Sequence, residues 1–280
     1  MDENNAVTDE GVTVKSGNPL KPFISAFVIF GAIIIGYVFY YQVLGDPQNF
    51  IDGNLENDPI EEGFRRWLGL MYKGGILVGT AIGLFLITVT LSIERLITLS
   101  KASGSGRPEV FVQKIQLHLE NDDIDAALDE CDSQKGTVGN VVKEALKTYK
   151  KMSRNETLDK DKKIAAIQKS IEEATALELP MLEKHLTIIA TIVSIATLVG
   201  LIGTVLGMIR AFAALGASGT PDAAALSNGI SEALINTASG ITTSTVATVA
   251  YNYFTSRIED MTFRIDEVGI SIVETFNEKY

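Results

Sequence analysis

Across the 34 positions from Ala223 to Ser256 the chain carries a single charged residue, Glu232. Three other runs, Phe23–Leu44, Gly74–Ile93 and Leu186–Ile209, carry none. A helix needs about 20 apolar residues to cross a hydrocarbon core. Four such runs, with Ala233–Ser256 as the last, predict four transmembrane helices, and a hydrophobic content of 46% agrees. The expected fold class is an all-α integral membrane protein with long helices extending into a cytoplasmic helical domain. The first run reads as a retained span, because Asp2, Glu3, Asp9 and Glu10 precede it and Gly45-Asp46-Pro47 follows without a small-residue cleavage pattern.

Charge then orients the spans. Fourteen of the 24 Lys and Arg residues lie between Lys101 and Lys184, which places that segment in the cytoplasm. An even number of spans brings both termini to the same side. The expected order is a polar tail (1–22), an additional span (23–44), an outer segment (45–73), a span (74–98), a cytoplasmic helical domain (99–185), a span (186–214), an outer turn (215–228), a span (229–256) and a cytoplasmic C-terminal helix (257–280). In the outer segment Ile60, Phe64, Trp67, Leu68 and Met71 recur at helical spacing and predict an interfacial amphipathic helix. Arg65 and Arg66 on that side run against the charge bias.

Inside the cytoplasmic domain, helical patterns cover Val110–Glu120, Ile124–Asp132 and Val138–Met152. From about Lys160 to Phe212 only Pro180 and scattered glycines interrupt, which predicts one long helix bent at Pro180. Ile258, Met261, Ile265, Val268, Ile272 and Phe276 continue a near-heptad stripe beyond the last span, so the tail should pack against neighbours. Leu215–Asp222, rich in Gly, Ser and Pro, should turn the third span into the fourth.

Several functions are disfavoured. Cys131 is the only cysteine and, with His118 and His185, makes no metal-ligand spacing. No metal, cofactor or enzymatic chemistry is expected. A net charge of −11 with interleaved lysines offers no basic face for nucleic acid.

What remains is the acid. Ionisable residues at membrane depth cost about 2.5–3.5 kcal/mol on insertion scales and mark ion paths, proton relays or buried pairings. Glu232, Asn236, Ser239 and Thr243 share a stripe about 60° wide on a helix, and unpaired polar groups cannot face lipid. The stripe must meet water, another helix or a partner. On the third span Thr197 and Thr204 share a face, while Gly203 and Gly207 allow close helix approach. Carboxyls removed from water favour the neutral form and ionise when water or a cation returns, so an acid at this depth can carry protons. The bland alternative is an acid bonded to Asn236 or a neighbouring helix for assembly alone.

The run Leu201-Ile202-Gly203-Thr204-Val205-Leu206-Gly207-Met208-Ile209-Arg210-Ala211-Phe212, with Gly229-Ile230-Ser231-Glu232-Ala233-Leu234, Thr237-Ala238-Ser239-Gly240 and Ala250-Tyr251-Asn252-Tyr253-Phe254, resembles the TolQ/ExbB branch of the MotA/TolQ/ExbB proton-channel family. Leu179-Pro180-Met181-Leu182-Glu183 and Ile93-Glu94-Arg95 extend the likeness, which covers about residues 74 to 256. The resemblance implies a ring-forming subunit, a homopentamer, in the bacterial inner membrane. Its third and fourth spans would enclose a single-span ExbD/TolR-like partner bearing its own aspartate. A TonB-like protein would receive the work. By position, Glu232 matches the family's membrane glutamate, and Thr204 and Thr237 match hydroxyls on the ion path; Thr197, Asn236, Ser239 and Thr243 are further pore-lining candidates.

Ala196-Thr197 and Thr245-Val246 stand where the family has Ala-Pro and Ile-Pro, and the first span is an addition to its three-span plan. The expected function is an ion-conducting, proton-driven stator-type subunit for outer-membrane nutrient import or envelope maintenance. A flagellar-type stator subunit and a non-conducting membrane scaffold are the alternatives.

Overall fold

A computed structural model describes residues 21–216 and 223–280, which form nine α-helices and, apart from a bridge between Phe50 and Pro59, no strand. The polar tail up to residue 20 and the tip of the outer turn, 217–222, lie outside the described residues.

Helix α1 (Lys21–Phe39) runs into a π-helical turn, Tyr40–Leu44. Asp46 and Pro47 end it: the Asp46 carboxylate accepts from the Gln48 amide at 2.8 Å and opens a 3-10 turn with Pro47 in first place. Helix α2 is Phe64–Lys73 and α3 is Ile76–Ala102. Ile60, expected as the first residue of the amphipathic helix, lies outside α2; its amide instead donates to the Asn49 carbonyl at 3.1 Å. Leu68, Met71 and Tyr72 pack inward on Tyr40, Leu44 and Val78, leaving Phe64 and Trp67 exposed.

Glycine sets the α1–α3 distance. A Cβ at Gly36 would lie 2.6 Å from the Gly83 amide nitrogen and 2.7 Å from the Gly79 carbonyl, so backbone meets backbone at this crossing. The Tyr37 and Thr80 hydroxyls bond across it at 2.8 Å.

Between α3 and the long helices that follow lies a bundle of α4 (Pro108–Glu120), α5 (Ile124–Gln134) and α6 (Gly136–Ser153). The three patterns read from the sequence fall on these helices. Asp123 caps α5 by accepting from the Ala126 amide at 2.9 Å. Helix α7 (Lys160–Glu183) follows, then α8 (Leu186–Gly216) and α9 (Ala223–Lys279).

Two expectations need correction. Pro180 sits inside α7, and the break between α7 and α8 falls later, at Lys184–His185, where His185 takes a left-handed φ of 65°. The freed carbonyls of Met181 and Leu182 accept from the Arg95 guanidinium at 3.2 and 3.3 Å, so a buried cation from α3 stabilises the break. Residues 223–228, assigned to the outer turn, are helical. The expected last span and the expected C-terminal helix are one element of 57 residues, about 85 Å long at 1.5 Å per residue. A hydrocarbon core is only about 30 Å thick, so α9 ties the apolar layer to the bundle. Ile258, Met261, Ile265, Val268, Ile272 and Phe276 are all buried there, against α4, α6 and α7.

Candidate ion-path site

Helices α8 and α9 form the most extensive contact in the chain, along a seam of small residues. A Cβ on Gly207 would approach the Ala233 amide nitrogen and Gly229 carbonyl to 2.8 Å, and one on Gly240 would approach the Ala196 carbonyl to 2.6 Å. The Thr204 and Thr237 hydroxyls touch across this seam, each also turned toward the Ala233 carbonyl, at 3.5 and 3.2 Å. Two residues picked from separate spans thus meet.

Glu232 lies on another side of α9. Its Oε1 pairs with Arg210 of α8, the carboxylate side chain 14% exposed and the guanidinium side chain 60%. The carboxylate also rests on the α2–α3 junction: a Cβ at Gly75 would come within 2.5 Å of Oε1, and Gly75 holds φ +78°. Glycine is needed there for both reasons.

Below Glu232 the polar stripe runs down α9 as expected, but it faces the α2–α3 junction and α3 of the same chain. Asn236, 2% exposed, donates to the Gly74 carbonyl at 2.6 Å and to the Glu232 carbonyl at 3.0 Å. Thr243, 3% exposed, lies 3.5 Å from the Ala81 carbonyl and bonds Ser239 O at 3.0 Å; Ser239 bonds Ile235 O at 2.8 Å. Asn236 and Thr243 are thus covered within one protomer, the stripe meeting other helices of the same chain. Thr197 is exposed on α8 and turns its hydroxyl back to Val193 O at 3.3 Å. The opposite face of α9 is open, with Leu234, Ile241 and Val249 large and exposed.

Arg210 is the residue that reading the spans separately overlooked. The signal was available: a lone cation near the C-terminal end of α8 stands across the predicted hairpin from a lone acid near the start of α9. Opposite charges at matched depth are expected to pair.

Chemically, the hairpin offers a carboxylate, a guanidinium and two touching hydroxyls near one end of an apolar helix pair. Among the described residues no cluster of His, Cys, Asp and Glu could hold a metal ion.

Comparison with known proteins bears on this hairpin directly. Residues 133–267, which include α8 and most of α9, match the MotA/TolQ/ExbB proton channel family. The chain is 27% identical over 210 residues to a biopolymer transport protein ExbB homolog of Methanothermobacter thermautotrophicus, covering 75% of this chain and 70% of that one. It is 26% identical over 221 residues to the biopolymer transport protein ExbB of Neisseria meningitidis, covering 76% and 98%. The Tol-Pal system protein TolQ of Pseudomonas aeruginosa is 31% identical over 122 residues, 44% of this chain and 53% of its own. Over residues 133–267, which hold the glycine-seamed hairpin, the chain is similar to the MotA/TolQ/ExbB proton channel family, and its relatives named ExbB and TolQ put that similarity on the TolQ/ExbB branch.

Proposed function

We propose that this chain is the proton-conducting, stator-type subunit of an inner-membrane motor that couples the proton motive force to a periplasm-spanning partner, for outer-membrane nutrient import or envelope maintenance. In this reading four helices cross the membrane: residues 23–44, α3, α8 and the first half of α9. Both termini and the α4–α7 bundle are cytoplasmic. Five copies ring a single-span ExbD/TolR-like chain, and a TonB-like protein receives the work. Glu232, Thr204 and Thr237 line the ion path.

The observation that carries this reading is the Arg210–Glu232 pair beside the Thr204–Thr237 contact on one hairpin. Exposure supports it too. Two helical stretches, Ile76–Ala102 and the apolar part of Lys160–Leu215, are long and apolar enough to cross a membrane. Leu201, Val205, Phe212, Leu234, Ile241 and Val249 stand exposed on α8 and α9, a continuous apolar surface suited to lipid or neighbouring subunits. The hydroxyls of α9, including Thr242 and Thr245, lower its hydropathy yet bond their own backbone at 2.8 and 2.9 Å, so the helix remains compatible with lipid depth. Moving one charge through 100 mV releases about 2.3 kcal/mol, so mechanical work requires repeated transfers.

A second reading, a non-conducting scaffold, is favoured by the same pair, since a carboxylate already bonded to Arg210 can serve assembly alone. Glu232→Gln separates them. The complex with its small partner, reconstituted in vesicles, should assemble normally yet lose ion-driven activity by more than about tenfold. Failed assembly, with function restored by an apolar residue at 232, would establish the scaffold.

A further inference from the structure

A cavity of about 920 Å³ opens where the inner end of α3 meets α9 and the α3–α4 loop. Its walls divide by chemistry. Leu96 and Ile97, both about half exposed, form an apolar flank with Phe254 and Met261. Lys101, Arg107 and Arg257 bring positive charge to the rim.

The two acids in the wall offset these cations only in part, because both are drawn to Arg264, which Glu267 shares at 3.4 Å. Glu109 and Asp260 both face Arg264, at 2.9 and 3.6 Å. Lys101 and Arg107 form no ion pair with any described residue. The Arg257 guanidinium lies 5.7 Å from the Tyr253 ring centre, and its Nε donates to the Tyr253 hydroxyl at 3.4 Å. Of the charged residues in the wall three are cationic and two acidic, and both acids face Arg264, so the positive charge is in excess at the rim.

The loop that carries Arg107 is held in place. Ser105 donates its amide to the Gln134 carbonyl at 2.6 Å, and Gln134 Nε2 donates to the Ser103 carbonyl at 3.2 Å. Gly104, at φ +77°, packs where any Cβ would crowd the Gln134 and Lys135 carbonyls. The cavity is thus preformed, and the first turn of α4 opens into it through Pro108 and Glu109.

We propose that this cavity holds the phosphate headgroup of an anionic phospholipid from the cytoplasmic leaflet. Lys101, Arg107 and Arg257 grip the phosphate, Tyr253 stacks at the interface, and Leu96 and Ile97 lie along the acyl chains. Position decides for a lipid over a soluble anion. The cations sit one to two helical turns beyond an exposed apolar surface on α3 and beside an exposed interfacial tyrosine on α9, where a headgroup and its tails would lie together. The inference rests on the proposed orientation, with the bundle in the cytoplasm.

The test uses the full chain purified in a neutral detergent, with the unfolding midpoint measured against added phosphatidylglycerol, phosphatidylcholine or inorganic phosphate. Phosphatidylglycerol should raise the midpoint by several degrees and phosphatidylcholine should not. The triple variant Lys101→Gln, Arg107→Gln, Arg257→Gln should fold but lose that rise. The site is refuted if the triple variant responds as the parent does, if phosphatidylcholine works equally well, or if inorganic phosphate alone reproduces the effect. A Ser105→Cys variant reports the orientation separately. Labelling by an impermeant reagent from the outer face of vesicles would overturn the proposed function, while headgroup binding would stand or fall on the midpoint data alone.

Discussion

Arg210 and Glu232 join α8 to α9 by an ion pair in which the cation is largely exposed and the acid largely covered. The asymmetry has a consequence. Removing the cation leaves a covered acid unpaired, whereas removing both leaves a neutral contact.

Arg210→Gln should therefore destabilise the hairpin more than the double variant Arg210→Gln, Glu232→Gln does. Exposure of the guanidinium keeps the coupling modest, about 1 kcal/mol. A double-mutant cycle on unfolding in mild detergent checks this. Strict additivity would mean that the pair is energetically idle.

Two glycines on α1 make a matched comparison. Around Gly31 a Cβ would meet nothing within 4 Å, whereas at Gly36 it would strike the Gly83 backbone at 2.6 Å. Gly31→Ala should be neutral or stabilising, because alanine is the better helix former by up to about 1 kcal/mol. Gly36→Ala should push α1 away from α3 and cost about 1–3 kcal/mol. Equal melting temperatures for the two variants would show that α1 does not pack on α3 in this way.

Some of this architecture could be read from residues in order, and some could not. The stripe from Ile258 to Phe276 was legible because heptad spacing keeps one helix face turned to a neighbour over many turns. The alignment of Glu232, Asn236, Ser239 and Thr243 was legible for the same reason. Its direction was not. Periodicity fixes angles among residues of one helix but says nothing of which neighbour they meet, and here the neighbours are α3 and its junction with α2, far earlier in the chain. The break at His185 was hidden more deeply. Proline is the residue that ends helices by its own chemistry, yet Pro180 is accommodated, and the turn comes where Arg95 waits to receive carbonyls. Only the folded chain brings those groups together.

Arg95 is 1% exposed and binds Glu94 at 2.6 and 2.5 Å as well as the Met181 and Leu182 carbonyls; Glu94 in turn lies 3.2 Å from His185 Nδ1. Arg95→Ala should cost about 3 kcal/mol, since it leaves the Met181 and Leu182 carbonyls without their donor and takes from Glu94 its shortest partner. Arg95→Lys should rescue only part, because an ammonium cannot span the same fork of acceptors. Protease cleavage near Lys184 reports the junction: full protection in the alanine variant would refute this role.

The bundle should weaken in alkali. Burial pushes the Cys131 thiol up to about 12, against an ordinary value near 9, and pushes the Tyr149 phenol up to about 12 from 10. Both groups hold their protons more tightly in the folded chain than in the unfolded one. Their contribution is fully present below the unfolded values and is lost as pH rises from about 9 toward 12, by up to about 1.4 kcal/mol per pH unit for each group. Melting of the full chain between pH 7 and 11 should follow that course, and Cys131→Ala should flatten the part that begins near pH 9. Tyr149→Phe adds an independent check. The Tyr149 hydroxyl is buried without a hydrogen-bond partner, and its ring packs edge-on against Phe276 at 5.0 Å. Phenylalanine keeps the ring contact and removes the orphaned hydroxyl, so this variant should match or exceed the parent at pH 7 while losing less stability above pH 10.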